Sequence, residues 1–163
     1  MTTINSDNAS PADITYTLLS VIRLMRKQVD SAMSAQGLSL AREKLLTAIE
    51  HEGTCRPAEL ALVLQQSPRT ITDAIDAMDR DGLLVRKRHP TDRRSQLLEL
   101  TEAGQRALRQ VRLPKQEAID RLFAALDGAA RQQRKASLNS IETLGQTYAE
   151  KKQFLSHTTE ERR

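Results

Sequence analysis

From Asp13 onward the apolar positions Ile14, Leu18, Ile22, Met25, Val29 and Met33 recur every three or four residues. That spacing puts them on one side of an α-helix and predicts a helix of about twenty residues reaching Gln36, where Gly37 stops it. Residues 1–9 are polar, lack any period and read as a frayed terminus. Leu38-Ser39 then offers a hydrophobic residue ahead of an N-cap serine, and Leu45, Leu46 and Ile49 give a second helix that ends before Gly53. A short third segment runs from Pro57 to Leu64, with proline at the first helical position and Leu60, Leu62, Val63 and Leu64 as core candidates.

Ser67-Pro68 is the clearest helix start in the chain. Serine accepts a hydrogen bond from an orphan backbone N–H, and proline fits where no donor is needed. The apolar stripe of this fourth helix is Ile71, Ala74, Ile75 and Met78, which leaves Arg69, Thr70, Thr72, Asp73, Asp76 and Ala77 on the open face. After Gly82, Leu83-Leu84-Val85 leads into a basic run centred on the turn-like His89-Pro90-Thr91-Asp92. Leu98-Glu99-Leu100 follows with period-two alternation, so the segment predicts a two-stranded hairpin with a basic tip. Thr101-Glu102 opens a further helix carrying Leu108, Val111, Ile119, Leu122, Phe123 and Leu126, with a kink expected at Pro114 and a break at Asp127-Gly128. A last helix, from about Ala130, carries Leu138, Ile141, Leu144, Tyr148 and Leu155, and the tail from Ser156 reads as loose.

Composition narrows the class. The chain has 163 residues, enough for one globular domain with appended helices. Its four aromatics and six glycines argue against a β-sandwich or barrel. The single Cys55 cannot form an internal disulfide, and His51, His89 and His157 share no metal-ligand spacing, so neither a metal nor a cofactor is expected. No nucleophile–base pattern, phosphate loop or zinc signature points to an enzyme. No apolar run exceeds five residues, far short of a membrane span, and no apolar block with a basic flank opens the chain. A cytoplasmic protein with no membrane partner is expected.

The formal net charge is +4, and residues 86–94 alone hold five basic residues against one acid. The excess is therefore one patch, and focused positive charge on a balanced chain suits a polyanion, because each phosphate neutralised releases counterions. A solvated basic loop would read the same on charge alone.

Three helices, the last well capped, followed by a basic hairpin, make a helix-turn-helix with a β wing. The expected fold is mainly α with a small β wing, a winged helix-turn-helix plus N- and C-terminal dimerisation helices. A helix fits the major groove, and the turn beginning at Ser67 offers free N–H groups and positive dipole charge to phosphate. Arg69, Thr70 and Thr72 are then placed for base edges or flanking phosphates. Arg86, Arg88, Arg93 and Arg94 lie over the adjacent backbone, where one arginine can enter the minor groove and His89 can contact phosphate. An outer helix of roughly 25 residues, about 37 Å long, outruns a winged module, so the first helix and the last two are expected to interlock with a second copy, which presents two reading helices about one turn of DNA apart. The expected layout is a disordered 1–10, a dimerisation helix 11–36, a DNA-binding domain 37–100, dimerisation helices 101–155 and a loose tail 156–163.

At this point the chain resembles the MarR family of winged helix-turn-helix regulators, from about Ile14 to Tyr148. Ala58-Glu59-Leu60-Ala61 is similar to the opening of the family's first helix-turn-helix helix. Thr70-Ile71-Thr72, Ile75-Asp76, Met78 and Gly82-Leu83 are similar to its recognition helix and exit, Asp92-Arg93-Arg94 to its wing-tip Asp-x-Arg, and Leu100-Thr101-Glu102-Ala103-Gly104 to its return strand and next helix start. The resemblance implies an obligate, triangular homodimer on pseudo-palindromic double-stranded DNA, usually a repressor, with Arg94 in the minor groove, Asp92 orienting wing or helix arginines, and Thr70 and Thr72 facing the major groove. Asp73 departs from the basic residue many members carry. It can accept from cytosine N4 or pair with Arg69. Many members release DNA when a small phenolic or anionic effector enters the crevice beside the dimer helices, here lined by Tyr16, Arg23, Met25, His51 and residues near Val111, although helical spacing explains Met25 and Arg23 as packing and solvated positions.

Two alternatives stay open from the residues. Cys55 beside Arg56 reads as a redox thiol or a structural one. The exposed helix and wing read as a DNA reader or as a protein-docking module without DNA binding, separated by the salt dependence that only DNA requires and by the apolar anchor that a docking site needs.

Overall fold

The computed structural model describes residues 9–89, 91 and 95–160, with side chains to Tyr148. The frayed stretch 1–8, the tip residues Pro90, Asp92, Arg93 and Arg94, and the end of the tail, 161–163, lie outside the described residues, as does the side chain of Leu155. Among the described residues, six helices and one two-stranded sheet follow in the order α1 (Pro11–Ser34), α2 (Leu40–Glu52), α3 (Pro57–Val63), α4 (Pro68–Arg80), β1 (Leu84–Arg88), β2 (Gln96–Leu100), α5 (Glu102–Leu122) and α6 (Gly128–Glu160). They divide into two compact units, Met1–Arg121 and Leu122–Arg163.

In the first unit one apolar core joins every element. Val29 and Met33 of α1, Leu45, Leu46 and Ile49 of α2, Leu60 of α3, Ile71, Ile75 and Met78 of α4, Leu84 and Leu98 of the sheet, and Leu108 and Val111 of α5 are all buried together. At about 25 cal/mol per Å² of apolar surface removed from water, such a cluster is the main favourable contribution to folding. β1 and β2 pair antiparallel with Leu84 opposite Leu100 and Arg86 opposite Leu98. Because side chains alternate along a strand, Leu84 and Arg86 share the face that looks inward.

Local chemistry sets each helix end. Ser10 and Asp13 form a capping box that starts α1 at Pro11, three residues before Ile14, with Ser10 Oγ donating to Asp13 Oδ2 at 2.7 Å. That hydrogen bond, aided by the Ser10 backbone N–H, holds the Asp13 carboxyl below its usual range. The Leu40 N–H donates to Asp30 Oδ1 at 2.7 Å, binding the end of α1 to the start of α2. Thr101 caps α5, accepting from the Gly104 N–H at 3.0 Å and donating to the Gly82 carbonyl at 2.7 Å.

Three expectations change. Leu62 and Val63 are 79% and 63% exposed rather than core: α3 has only seven residues, so one face alone, Leu60 with Ala61, can be buried. α5 continues through Pro114 as helix and ends at Leu122, before Leu126, since the proline removes one backbone hydrogen bond while the rest of the ladder continues. In the second unit α6 begins at Gly128, where Asp127 Oδ1 accepts from the Ala130 N–H at 2.7 Å. It runs on to Glu160 through the stretch read as loose from Ser156, because no proline follows Gly128 to stop propagation. The apolar stripe of α1 is buried at its C-terminal end, while Ile14 and Ile22 are exposed, which agrees with a face that one chain alone does not cover. Among the described residues no helix is long and apolar enough to cross a membrane.

α5 crosses the exit of α4 at Gly104, where a Cβ would lie 2.1 Å from the Leu83 carbonyl oxygen. Gly104→Ala therefore lowers stability by about 1–3 kcal/mol in denaturant unfolding, whereas Gly128→Ala, which meets nothing within 4 Å, leaves the midpoint nearly unchanged.

Candidate nucleic-acid interface

The stripe Ile71, Ile75 and Met78 is buried and fixes the roll of α4 about its axis. Ser67, Arg69, Thr70, Thr72 and Asp73 are all left exposed on the other side. Ser67 accepts from the Thr70 N–H at 3.1 Å and its hydroxyl pairs with Thr70 Oγ1 at 2.8 Å. Thr72 Oγ1 donates to the Pro68 carbonyl at 2.9 Å, leaving its methyl and lone pairs outward. These hydroxyls thus stiffen the first turn. Thr72, its proton given to Pro68, meets a ligand as an acceptor or through its methyl group, while one hydroxyl of the Ser67–Thr70 pair keeps a proton to donate. No ion pair joins Asp73 to Arg69 among the described residues, so that expected pairing is not formed.

The hairpin places its cations unevenly. Arg88 is exposed. Lys87 Nζ lies 2.5 Å from Glu99 on the neighbouring strand. Arg86 turns back onto α4: one guanidinium nitrogen bonds Asp76 Oδ1, and its Nε lies 3.3 Å from Asp79 Oδ2. Two of the five cations in the basic run are therefore already paired within the protein. Arg86, expected over a phosphate, faces carboxylates instead, because its place on the inward face of β1 points it at α4. His89, at the end of β1, is half-buried, with Nε2 3.1 Å from the Arg56 guanidinium at the start of α3. Asp92, Arg93 and Arg94 lie outside the described residues.

Cys55 anchors this hairpin. Its backbone forms an isolated antiparallel bridge with Leu98, accepting from the Leu98 N–H at 2.8 Å, so the segment before α3 acts as a third short strand beside β2. The thiol is 1% exposed. Burial, with the nearby Glu59 and Glu52 charges adding to it, pushes its pKa up to about 11. Arg56 does not activate it, and the structural reading of this cysteine holds.

The residues expected around an effector do not converge. His51 borders a hollow of about 370 Å³ and Val111 one of about 270 Å³, and the two hollows share Glu43, Thr47 and Lys115. Tyr16 and Arg23 are exposed on α1, Met25 is half-buried there, and none of the three borders either hollow. Between the hollows stands a pair that periodicity could not reveal: Glu43, the buried charged residue of α2, accepts from Lys115 Nζ of α5 at 2.7 Å. A polar residue on a helix's inner face, with its partner 72 positions away, leaves no local signal.

Helix, turn, capped second helix and antiparallel hairpin define a winged helix-turn-helix protein. Residues 38–96 match the model of the MarR family. It is 29% identical over 100 residues to the uncharacterized HTH-type transcriptional regulator YwhA of Bacillus subtilis, spanning 61% of this chain and 72% of that one. It is also 29% identical over 103 residues to the transcriptional repressor MprA of Escherichia coli K12, spanning 62% of this chain and 58% of MprA. A crystal structure of mutant Escherichia coli MarR complexed with operator DNA shares the fold at a TM-score of 0.68 and 20% identity, covering 82% of this chain and 99% of that one.

Because the folded-state pKa of Cys55 is raised, its contribution to stability is intact below the free thiol's value and is lost as pH rises toward 11. Wild type therefore loses stability relative to Cys55→Ala between about pH 9 and 11. In the folded protein at about pH 8 the thiol reacts with alkylating reagents far more slowly than in denaturant. Fast labelling of the folded chain contradicts the assignment.

Proposed function

We propose that this protein is a transcriptional regulator that binds double-stranded DNA as a homodimer and represses from a pseudo-palindromic operator in the cytoplasm. The observation that carries the reading is α4: capped, rolled by its buried stripe so that its outer face is bare, and set beside a basic hairpin on the fold shared with operator-bound MarR. Thr70, Thr72, Asp73 and Arg69 face the major groove, with Ser67 at the phosphate-facing helix start. Arg88 and His89, with Asp92, Arg93 and Arg94 of the tip, attend the neighbouring backbone and minor groove.

The second copy is supported by apolar side chains left in water. Ile14, Leu19, Val21, Ile22 and Leu24 of α1 are exposed, as are Leu138, Ile141, Leu144 and Tyr148 of α6. A surface of that kind calls for a protein partner, and a two-fold copy supplies matching faces. The two hollows that His51 and Val111 border are the candidate seat for a small phenolic or anionic effector. The regulator reading leaves no part for catalysis.

Selection from random duplex DNA should return two inverted half-sites about ten base pairs apart, bound with a steep inverse dependence on salt. No enrichment over non-specific duplex overturns the reading. Arg94→Ala should weaken binding and lower the salt slope by about one. Removing residues 130–163 should abolish dimers in sedimentation; a soluble monomer that still binds a two-fold site would contradict the shared-helix interface.

A further inference from the structure

The reading helix is itself acidic. α4 carries two arginines against three aspartates, an unfavourable balance for an element that lies against phosphates. Asp76 and Asp79 stand three residues apart, one turn of helix, and so face the same way. The only described cation that meets both is Arg86. Its guanidinium bonds Asp76, and its Nε, fully shielded from solvent, makes no hydrogen bond and lies against Asp79 Oδ2 at 3.3 Å. Arg86 stands opposite Leu98, whose backbone is in turn bridged to Cys55, so its stem rises from the best-anchored part of the hairpin.

We infer that Arg86 is a positioning residue, not a DNA contact: it masks the carboxylates of Asp76 and Asp79 and fastens the wing to α4, so that reading helix and hairpin meet DNA as one rigid piece with the acid charge cancelled. This rests on the DNA-binding reading. An isolated exposed ion pair contributes little to stability, about 0–1 kcal/mol, so the value of the arrangement lies in charge and placement rather than in folding.

A double-mutant cycle tests it, with Arg86→Ala measured in the wild-type background and in a background carrying Asp76→Asn and Asp79→Asn, against the duplex recovered by selection. In the wild-type background Arg86→Ala should weaken binding about tenfold with the salt slope unchanged. In the asparagine background the same change should cost less than about twofold, since nothing remains to be masked. An arginine that touched phosphate would instead give up about 0.9 of salt slope and keep its full penalty, or gain a larger one, once the aspartates were gone. That outcome overturns the inference. Hydrogen exchange of the free protein supplies a readout independent of DNA: Arg86→Ala should speed exchange of the β1 and β2 amides, and unchanged rates would refute the fastening. If wild type selects no duplex, the regulator reading fails, and exchange alone decides the clamp.

Discussion

The burial of Ile71, Ile75 and Met78 is the constraint on which the rest of the structure depends, because it decides which side of α4 the protein shows to the outside. Three side chains on one stripe fix the roll of a thirteen-residue helix. Once that roll is set, Thr72 and Asp73 must face outward and Asp76 must sit at the edge nearest the hairpin. Without it, the same sequence would offer a mixed set of groups with no reading edge. The exposed chemistry is thus a by-product of the hidden one, and core packing and recognition are two sides of one helix.

The hairpin is held with comparable economy. A two-stranded ribbon alone is only marginally stable in water. Here it gains a third edge from Cys55, an apolar floor from Leu84, Leu98 and Leu100, and a fixed exit where Thr101 and Gly104 close against Gly82 and Leu83. Each support acts at the root of the hairpin.

Much of this organisation was legible in the residues. The helix starts at Ser39 and Ser67, the stops at Gly37 and Gly82, and the hairpin after Leu83 all rest on local rules of capping, left-handed turns and alternation, and they stand where those rules put them. What escaped was non-local. Periodicity marked Leu62 and Val63 as apolar but could not say that a seven-residue helix buries one face only. The charge of residues 86–94 was visible, whereas the destination of Arg86 depended on the inward face of β1 meeting the i,i+3 aspartates of α4. That pairing was available as a pattern, two acids one turn apart upstream of an inward strand cation, but only once the strand register was known. Glu43 with Lys115 gave no such hint.

That last pair carries a consequence for how the sequence can change. Glu43 keeps only 11% of its side chain accessible, so its carboxylate is largely withdrawn from water and paired with the Lys115 ammonium. Replacing Lys115 alone strands that charge, a change that typically costs several kcal/mol, while replacing both by apolar residues of similar volume can be neutral. The seam between α2 and α5 is therefore historically locked: drift through single substitutions is penalised at either end, and the two positions are free to vary only together.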